Sequence, residues 1–192
     1  MQQAFAEKGA RWHLAEKVTA VDKTASGYRV QLEEGNSIEA DGVFSAVGLV
    51  ANTELAKQAG LAVHRGIVVD RYLKTTADNV YALGDCAEVH GQVKQYVAPL
   101  LQCARSLAKV LAGQNEEVHY PAMPIVIKTP LCPVVCSPVP LGVSGSWQYE
   151  GDAKHLKALF HDEAGQLRGF ALIGDKVRDK FELAKKLPLV FE

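Results

Sequence analysis

Residues 75–88 read Thr-Thr-Ala-Asp-Asn-Val-Tyr-Ala-Leu-Gly-Asp-Cys-Ala-Glu. Within them Val80, Tyr81, Ala82 and Leu83 form an apolar run held between two turn signals, Asp78-Asn79 and Gly84-Asp85. A run that short, punctuated at both ends, predicts a buried strand rather than a helix. Such a strand would set Gly84 and Asp85 at its carboxyl end, where open α/β sheets receive their ligands. Gly84 lets a ligand approach the backbone because no Cβ intervenes. Asp85 offers a carboxylate acceptor suited to a sugar or polyol hydroxyl. Taken alone, Gly-Asp is equally at home in an ordinary strand-to-loop turn.

Composition narrows the classes that need weighing. With 192 residues the chain can hold one large domain or two small ones. Its 48% apolar and 22% charged content is that of a globular protein, without the bias of a disordered one. A formal net charge of −1 gives no argument for nucleic acid or an anionic membrane as partner. No apolar run approaches the ~20 residues a spanning helix needs. The first eight residues carry no signal-peptide core, so the cytoplasm is the expected compartment. Cys86, Cys103, Cys132 and Cys136 are not spaced as a secreted disulfide framework and are expected to be reduced and structural. The histidines show no metal-ligand spacing, and no Ser-His-Asp signature or internal repeat occurs.

The elements follow from period and punctuation. Gln2 to Lys8 reads as the end of a helix stopped by Gly9, and Arg11 to Leu14 as a short strand. Val18 to Asp22, Tyr28 to Leu32 and Ser37 to Ala40 alternate apolar and polar residues, which predicts an antiparallel meander with one buried face. Gly42 to Gly48 is continuous and apolar, the pattern of a strand buried on both faces. A short helix is predicted from Glu54 to Ala59 and a strand over Gly66 to Asp70. Tyr96 to Ala112 reads as an amphipathic helix whose inner face is Val97, Leu100, Leu101, Ala104, Leu107, Ala108 and Leu111. Pro99 is tolerated only in its first turn, so the free N–H groups of that helix would lie just beyond Asp85. Six of the eight prolines fall between Tyr120 and Pro140, leaving Ile125 to Ile127 and Val134-Val135 as strand cores. Lys128 is the only Lys or Arg between Val118 and Asp152, and either reaches to solvent or faces a ligand. His155 to His161 and Leu167 to Ile173 read as a hairpin around Asp162 to Gly165, with a helix from Lys176 to Leu187 after it.

The stretch Thr-x-x-x-x-Val-Tyr-Ala-x-Gly-Asp-Cys-Ala-Glu resembles the second flavin-binding motif of the FAD-dependent pyridine nucleotide oxidoreductases. Asp41-Gly-Val-Phe-Ser-Ala-Val-Gly-Leu-Val-Ala-Asn52 resembles the segment that leads out of the NAD-binding domain there, with Ala51 where many relatives have Pro. Tyr-Pro-Ala-Met-Pro-x-Val-x-Lys-Thr-Pro-x-Cys-Pro-Val-Val is similar to the rubredoxin–NAD(+) reductase branch. Ferredoxin-type reductases carry an aromatic, acidic motif where this chain has Lys128-Thr129-Pro130.

The resemblance implies an α/β chain: an incomplete FAD/NAD(P)-binding, glutathione-reductase-like fold with a small C-terminal α+β domain. Residues 1–52 would end the NAD-binding domain, 53–117 would close the FAD-binding domain, and 118–192 would form the C-terminal domain. It further implies FAD and NADH as cofactors and rubredoxin, or a similar small iron carrier, as partner. Gly84 and Asp85 would hold the ribityl chain. The N–H groups of Tyr96, Val97 and Ala98 would face the N1/O2 edge of the flavin, Lys128 would lie beside its ring, and Gly48 would pass close to the nucleotide. Lys154, Lys157, Arg168 and Lys176 are candidates for a basic docking rim. No catalytic acid, base or metal is implied. The glycine-rich dinucleotide loop G-x-G-x-x-G occurs nowhere in the chain, so Met1 is expected to be a truncation point and the chain alone inactive. A reductase of flavorubredoxin or of an oxygenase ferredoxin, and a non-catalytic protein-binding module, are the alternatives.

Overall fold

The computed structural model describes residues 1–189 and divides the chain into two units, 1–48 and the remainder from Leu49. The first unit opens with a short helix, α1 (Gln2–Ala6), followed by the meander β1 (Val18–Lys23), β2 (Tyr28–Leu32) and β3 (Ser37–Ala40) in the order β1-β2-β3. Both pairings are antiparallel, as the alternation and the Ser26-Gly27 and Glu34-Gly35 turns require. Arg11 to Leu14 is not a strand. Gly42 to Gly48 is not one either: it is irregular, with Phe44 93% and Val47 94% exposed. A doubly buried strand needs a hydrogen-bonded neighbour on each side, and no described strand pairs with this segment.

The second unit begins with α2 (Glu54–Gln58) and β4 (Ile67–Val69). The run Val80 to Leu83 is extended but is not a ladder strand: Tyr81 makes one isolated bridge to Lys74, and Val80 is exposed. The strand lies after the Gly-Asp pair instead. Gly84–Cys86 makes one 3-10 turn that leads straight into β5 (Ala87–Val89), which pairs parallel with β4 and antiparallel with β6 (Gln92–Val93). All three residues of β5 are buried, including Glu88. The helix α3 (Val97–Leu111) follows, with Tyr96 as its N-cap and Pro99 in its first turn.

A core forms where β4, β5, α3 and the segment around Val118 and Tyr120 meet: Val69, Leu73, Ala82, Val89, Cys103, Leu107, Val118 and Tyr120 are all buried there. Across this core the Cys103 Sγ and Tyr120 Oη lie 2.9 Å apart, so each polar atom has a partner.

Beyond it lies a five-stranded sheet, β7 (Ile125–Ile127), β8 (Val134–Ser137), β9 (Gly145–Gly151), β10 (Leu156–Asp162) and β11 (Leu167–Ile173), in the order β7-β8-β11-β10-β9. All its pairings are antiparallel. The proline-rich segment thus contributes an edge strand and its neighbour, which is where proline is compatible with a sheet. The last helix is shorter than its period predicts: Gly174–Asp179 is 3-10 and only α4 (Lys180–Lys186) is α-helical. Val135, Leu167, Phe170, Leu172 and Leu183 form the second core between this sheet and α4. Among the described residues no helix is long and apolar enough to cross a membrane.

Candidate functional site

The site is built from the turn between the extended run and β5. Gly84 takes φ +79°, a conformation that costs glycine little and other residues more. A Cβ built on Gly84 would lie 3.2 Å from Leu100 Cδ1, so the turn is seated against the first turn of α3. Gln95 Nε2 donates to the Asp85 carbonyl across 3.5 Å, a long contact that joins the two segments from the other side. Asp85 itself is exposed. Among the described residues its carboxylate makes no hydrogen bond or ion pair, which leaves it open to a ligand's hydroxyl.

Beside it, α3 begins without a side-chain cap. Its first N–H groups, at Val97 and Ala98, are donors the helix cannot satisfy, and Pro99 has none to give. A 15-residue helix also carries a positive dipole end there. Burial pushes the Tyr96 hydroxyl up from its ordinary value and the neighbouring Lys94 ammonium down from its own. The donor set is therefore one open carboxylate acceptor and a row of backbone N–H donors.

Glu88, two residues beyond the turn, is the central residue of β5. Its carboxylate is 5% exposed and accepts from Arg65 N (2.7 Å) and Gly66 N (2.9 Å), with His64 Nδ1 at 3.0 Å. These bonds fasten the 64–66 turn, and through it β4, to β5. The hydrogen bond with His64 and the two backbone donors hold the carboxyl below the usual glutamate range, against the opposing effect of burial. The sequence signal for it was a glutamate inside an otherwise apolar three-residue strand.

Gly84, Asp85, Tyr96, Val97 and Ala98 are thus gathered in one place. Lys128 stands on a different element: it is exposed and directly follows β7 of the five-stranded sheet, ahead of a turn in which the Thr129 hydroxyl donates to the Cys132 carbonyl. Gly48 closes the first unit with φ +106° and open space where a Cβ would stand. A cavity of about 290 Å³ is lined by Tyr72, Lys74, Tyr81, Val110 and Gly113 to Asn115 and contains none of the predicted site residues. Three of the four proposed rim cations are already neutralised: Lys157 pairs with Asp179 at 2.8 Å, Arg168 with Asp162 at 3.4 Å, and Lys176 with Glu150 at 3.4 Å. Among the described residues no group of three or more His, Cys, Asp or Glu could hold a metal ion.

Residues 1–107, which include the whole Gly84 to Ala98 cluster, match the family described as pyridine nucleotide-disulphide oxidoreductase. The chain belongs to that family. Residues 117–187 match a second family, described as the rubredoxin binding C-terminal domain. This pyridine nucleotide-disulphide oxidoreductase chain is 45% identical over 189 residues to a rubredoxin-NAD(+) reductase of Alcanivorax borkumensis, covering 98% of the chain and 50% of that protein. It is 40% identical over 187 residues to a nitric oxide reductase FlRd-NAD(+) reductase of Aliivibrio fischeri, covering 97% and 49%. The chain spans about half the length of the curated relatives it matches. Its fold superposes on a ferredoxin reductase from Rhodopseudomonas palustris with a TM-score of 0.81 at 23% identity, over 96% of this chain and 49% of that one. The expected α/β architecture and the expected family are therefore both found.

Proposed function

We propose that this chain is the flavin-contacting and carrier-docking part of an NADH-dependent flavoprotein that passes electrons through FAD to rubredoxin. One observation carries the reading: a pyridine nucleotide oxidoreductase match and a rubredoxin-binding match follow one another on the same chain. We divide the chain at 52 and 117, into the end of an NAD-binding domain, the closing part of an FAD-binding domain, and a carrier domain.

When bound, FAD would supply the redox chemistry that links NADH to a one-electron iron carrier. The open Asp85 carboxylate accepts a hydrogen bond from a ribityl hydroxyl, and Gly84 lets that chain approach the backbone. The Val97 and Ala98 N–H groups, with Tyr96 at the cap, present donors and a positive dipole end to the flavin edge that becomes anionic on reduction. Lys128 polarises the ring, and Gly48 gives the nucleotide a side-chain-free passage. No side chain is required to move a proton. Four free thiols suit a reducing compartment, and we place the protein in the cytoplasm.

The match to the Aliivibrio fischeri relative favours a second carrier, flavorubredoxin, for the same site. The test joins this chain behind the N-terminal half of the Alcanivorax borkumensis relative and compares it with the chain alone. The joined protein is expected to hold FAD stoichiometrically and to reduce rubredoxin with NADH; the chain alone is expected to be nearly colourless and inactive. A folded but colourless joined protein, or a stoichiometric flavin band in the chain alone, overturns the reading. Asp85→Ala in the joined protein is expected to lower flavin occupancy at least tenfold, and unchanged occupancy removes Asp85 from the site.

A further inference from the structure

Strand β9 is one edge of the five-stranded sheet, and all seven of its residues are exposed. Exposed edges are usually guarded by proline, an inward lysine, a bulge or a short length. None of these occurs in Gly145–Gly151, whose register with β10 runs unbroken through seven pairs from Gly145↔Asp162 to Gly151↔Leu156. Its one charged residue, Glu150, is held by Lys176 at 3.4 Å.

Read outward from Gln148, the strand follows one pattern of residue class in both directions: aromatic at Trp147 and Tyr149, polar at Ser146 and Glu150, glycine at Gly145 and Gly151. An antiparallel strand pairs with a copy of itself about a two-fold axis, so a sequence symmetric about one residue is self-complementary in that register. Trp147 and Tyr149 share a face, stacked with ring centroids 6.4 Å apart, and Trp147 also meets Phe160 edge-on at 5.3 Å. They remain 40% and 69% exposed. The bond from Asp152 N to His155 O sets the alternation of the β9–β10 ladder. It leaves the N–H and C=O groups of Trp147 and Tyr149 directed outward, unpaired in the sheet.

We propose that β9 is a self-association surface, pairing antiparallel with β9 of a second copy about Gln148 to join two sheets into one. In that register Trp147 lies opposite the copy's Tyr149 and exchanges backbone hydrogen bonds with it, while the aromatic rings of both copies form one row. Glu150 faces the uncharged Ser146 of the copy. The two Glu150 residues stand about 13 Å apart along the strands, beyond the screening length at physiological salt. The contact is β-augmentation along a single pair of strands, so the dimer is weak and concentration-dependent. The surface is independent of the flavin reading, because β9 lies about 19 Å across the sheet from β7 and Lys128.

Sedimentation equilibrium of the whole chain over a concentration series is expected to show a monomer–dimer equilibrium. Ser146→Lys, set against the copy's Glu150, is expected to tighten it severalfold at low salt, and Ser146→Glu to weaken it by a similar factor. Tyr149→Lys is expected to weaken it at least tenfold with circular dichroism unchanged. Gln148→Cys is expected to give an interchain disulfide mapped to position 148, since the Cα atoms at a non-hydrogen-bonded pair are about 4.5 Å apart. A monomer at every concentration up to about 100 μM overturns the proposal, that being a weak-affinity limit. So does a dimer indifferent to all four substitutions, or a Tyr149→Lys variant that loses rubredoxin binding while self-association is unchanged.

Discussion

A single buried carboxylate, Glu88, clasps the 64–66 turn to the strand that follows Gly84 and Asp85, and its energetics can be tested directly. Replacing it with Ala leaves the Arg65 and Gly66 N–H groups without their acceptor. Unsatisfied buried donors cost about 1–3 kcal/mol each, and the Arg65 N–H is only partly buried, so Glu88→Ala is expected to lower stability by about 2–4 kcal/mol in a urea titration, the lower part of the range for two donors. The same group predicts a pH dependence. Its carboxyl is held below the ordinary value when folded, so the unfolded chain binds a proton at a higher pH than the folded one does. The stabilisation is complete above the ordinary glutamate range, about 4.3, and is lost as pH falls through the lower folded value. Glu88→Gln should flatten that part of the stability profile; an unchanged acid limb would show that the 64–66 turn does not depend on this charge. At Gly84, φ +79° and the nearby Leu100 side chain both oppose a Cβ. Gly84→Ala is expected to cost about 1–2 kcal/mol, read as a lowered midpoint of thermal unfolding.

At the scale of elements, α3 shows how a correct helix can present a different face from the one its apolar residues predict. Its buried side chains are Pro99, Cys103, Ser106 and Leu107, whereas Val97, Leu101 and Leu111 are 69%, 46% and 64% exposed. The apolar pattern is wide enough to serve two faces, and period alone does not say which one meets β5 and Tyr120. Leu107→Ala is therefore expected to destabilise by about 2–4 kcal/mol and Leu101→Ala by under about 1 kcal/mol, measured by chemical denaturation; equal losses would place α3 in a different rotation. The same limit explains what else the sequence left unread. The meander, the Ile67 to Val69 strand, α3 with its proline-marked start and the β10–β11 hairpin were legible because period and punctuation are local signals. The strand expected at Val80 to Leu83 and the one expected at Gly42 to Gly48 were not formed, since a short apolar run becomes a strand only where a neighbour supplies hydrogen bonds. Seven exposed residues of β9 gave no burial pattern to read, although they pair with β10 along their whole length. Of the candidate site, the Gly84–Asp85 turn and the start of α3 came from the motif; the Glu88 clasp depends on a contact across 22 to 24 residues that no local pattern encodes.

For the whole molecule, the two units differ in how much they bury. In residues 1–48 the one side chain below a tenth exposed is Leu32, while Trp12, Leu14, Val18, Val21, Val43, Phe44 and Val47 all remain open to solvent. From Leu49 onward there are two cores, around Leu73 and Cys103 and around Phe170 and Leu172. A segment of about 50 residues that buries so little lacks the apolar area to offset its conformational entropy. The units are therefore expected to unfold separately, the first at lower denaturant and with a shallower slope. The two tryptophans report on them individually, Trp12 from the first unit and Trp147 from the second. Trp147→Phe leaves Trp12 as the sole indole signal, and Trp12→Phe leaves Trp147. In urea titrations of the two variants, kept dilute, the Trp12 fluorescence transition is expected to precede that of Trp147. Coincident transitions with equal slopes would mean one cooperative unit, and would show that residues 1–48 draw their stability from more than the contacts they make among themselves.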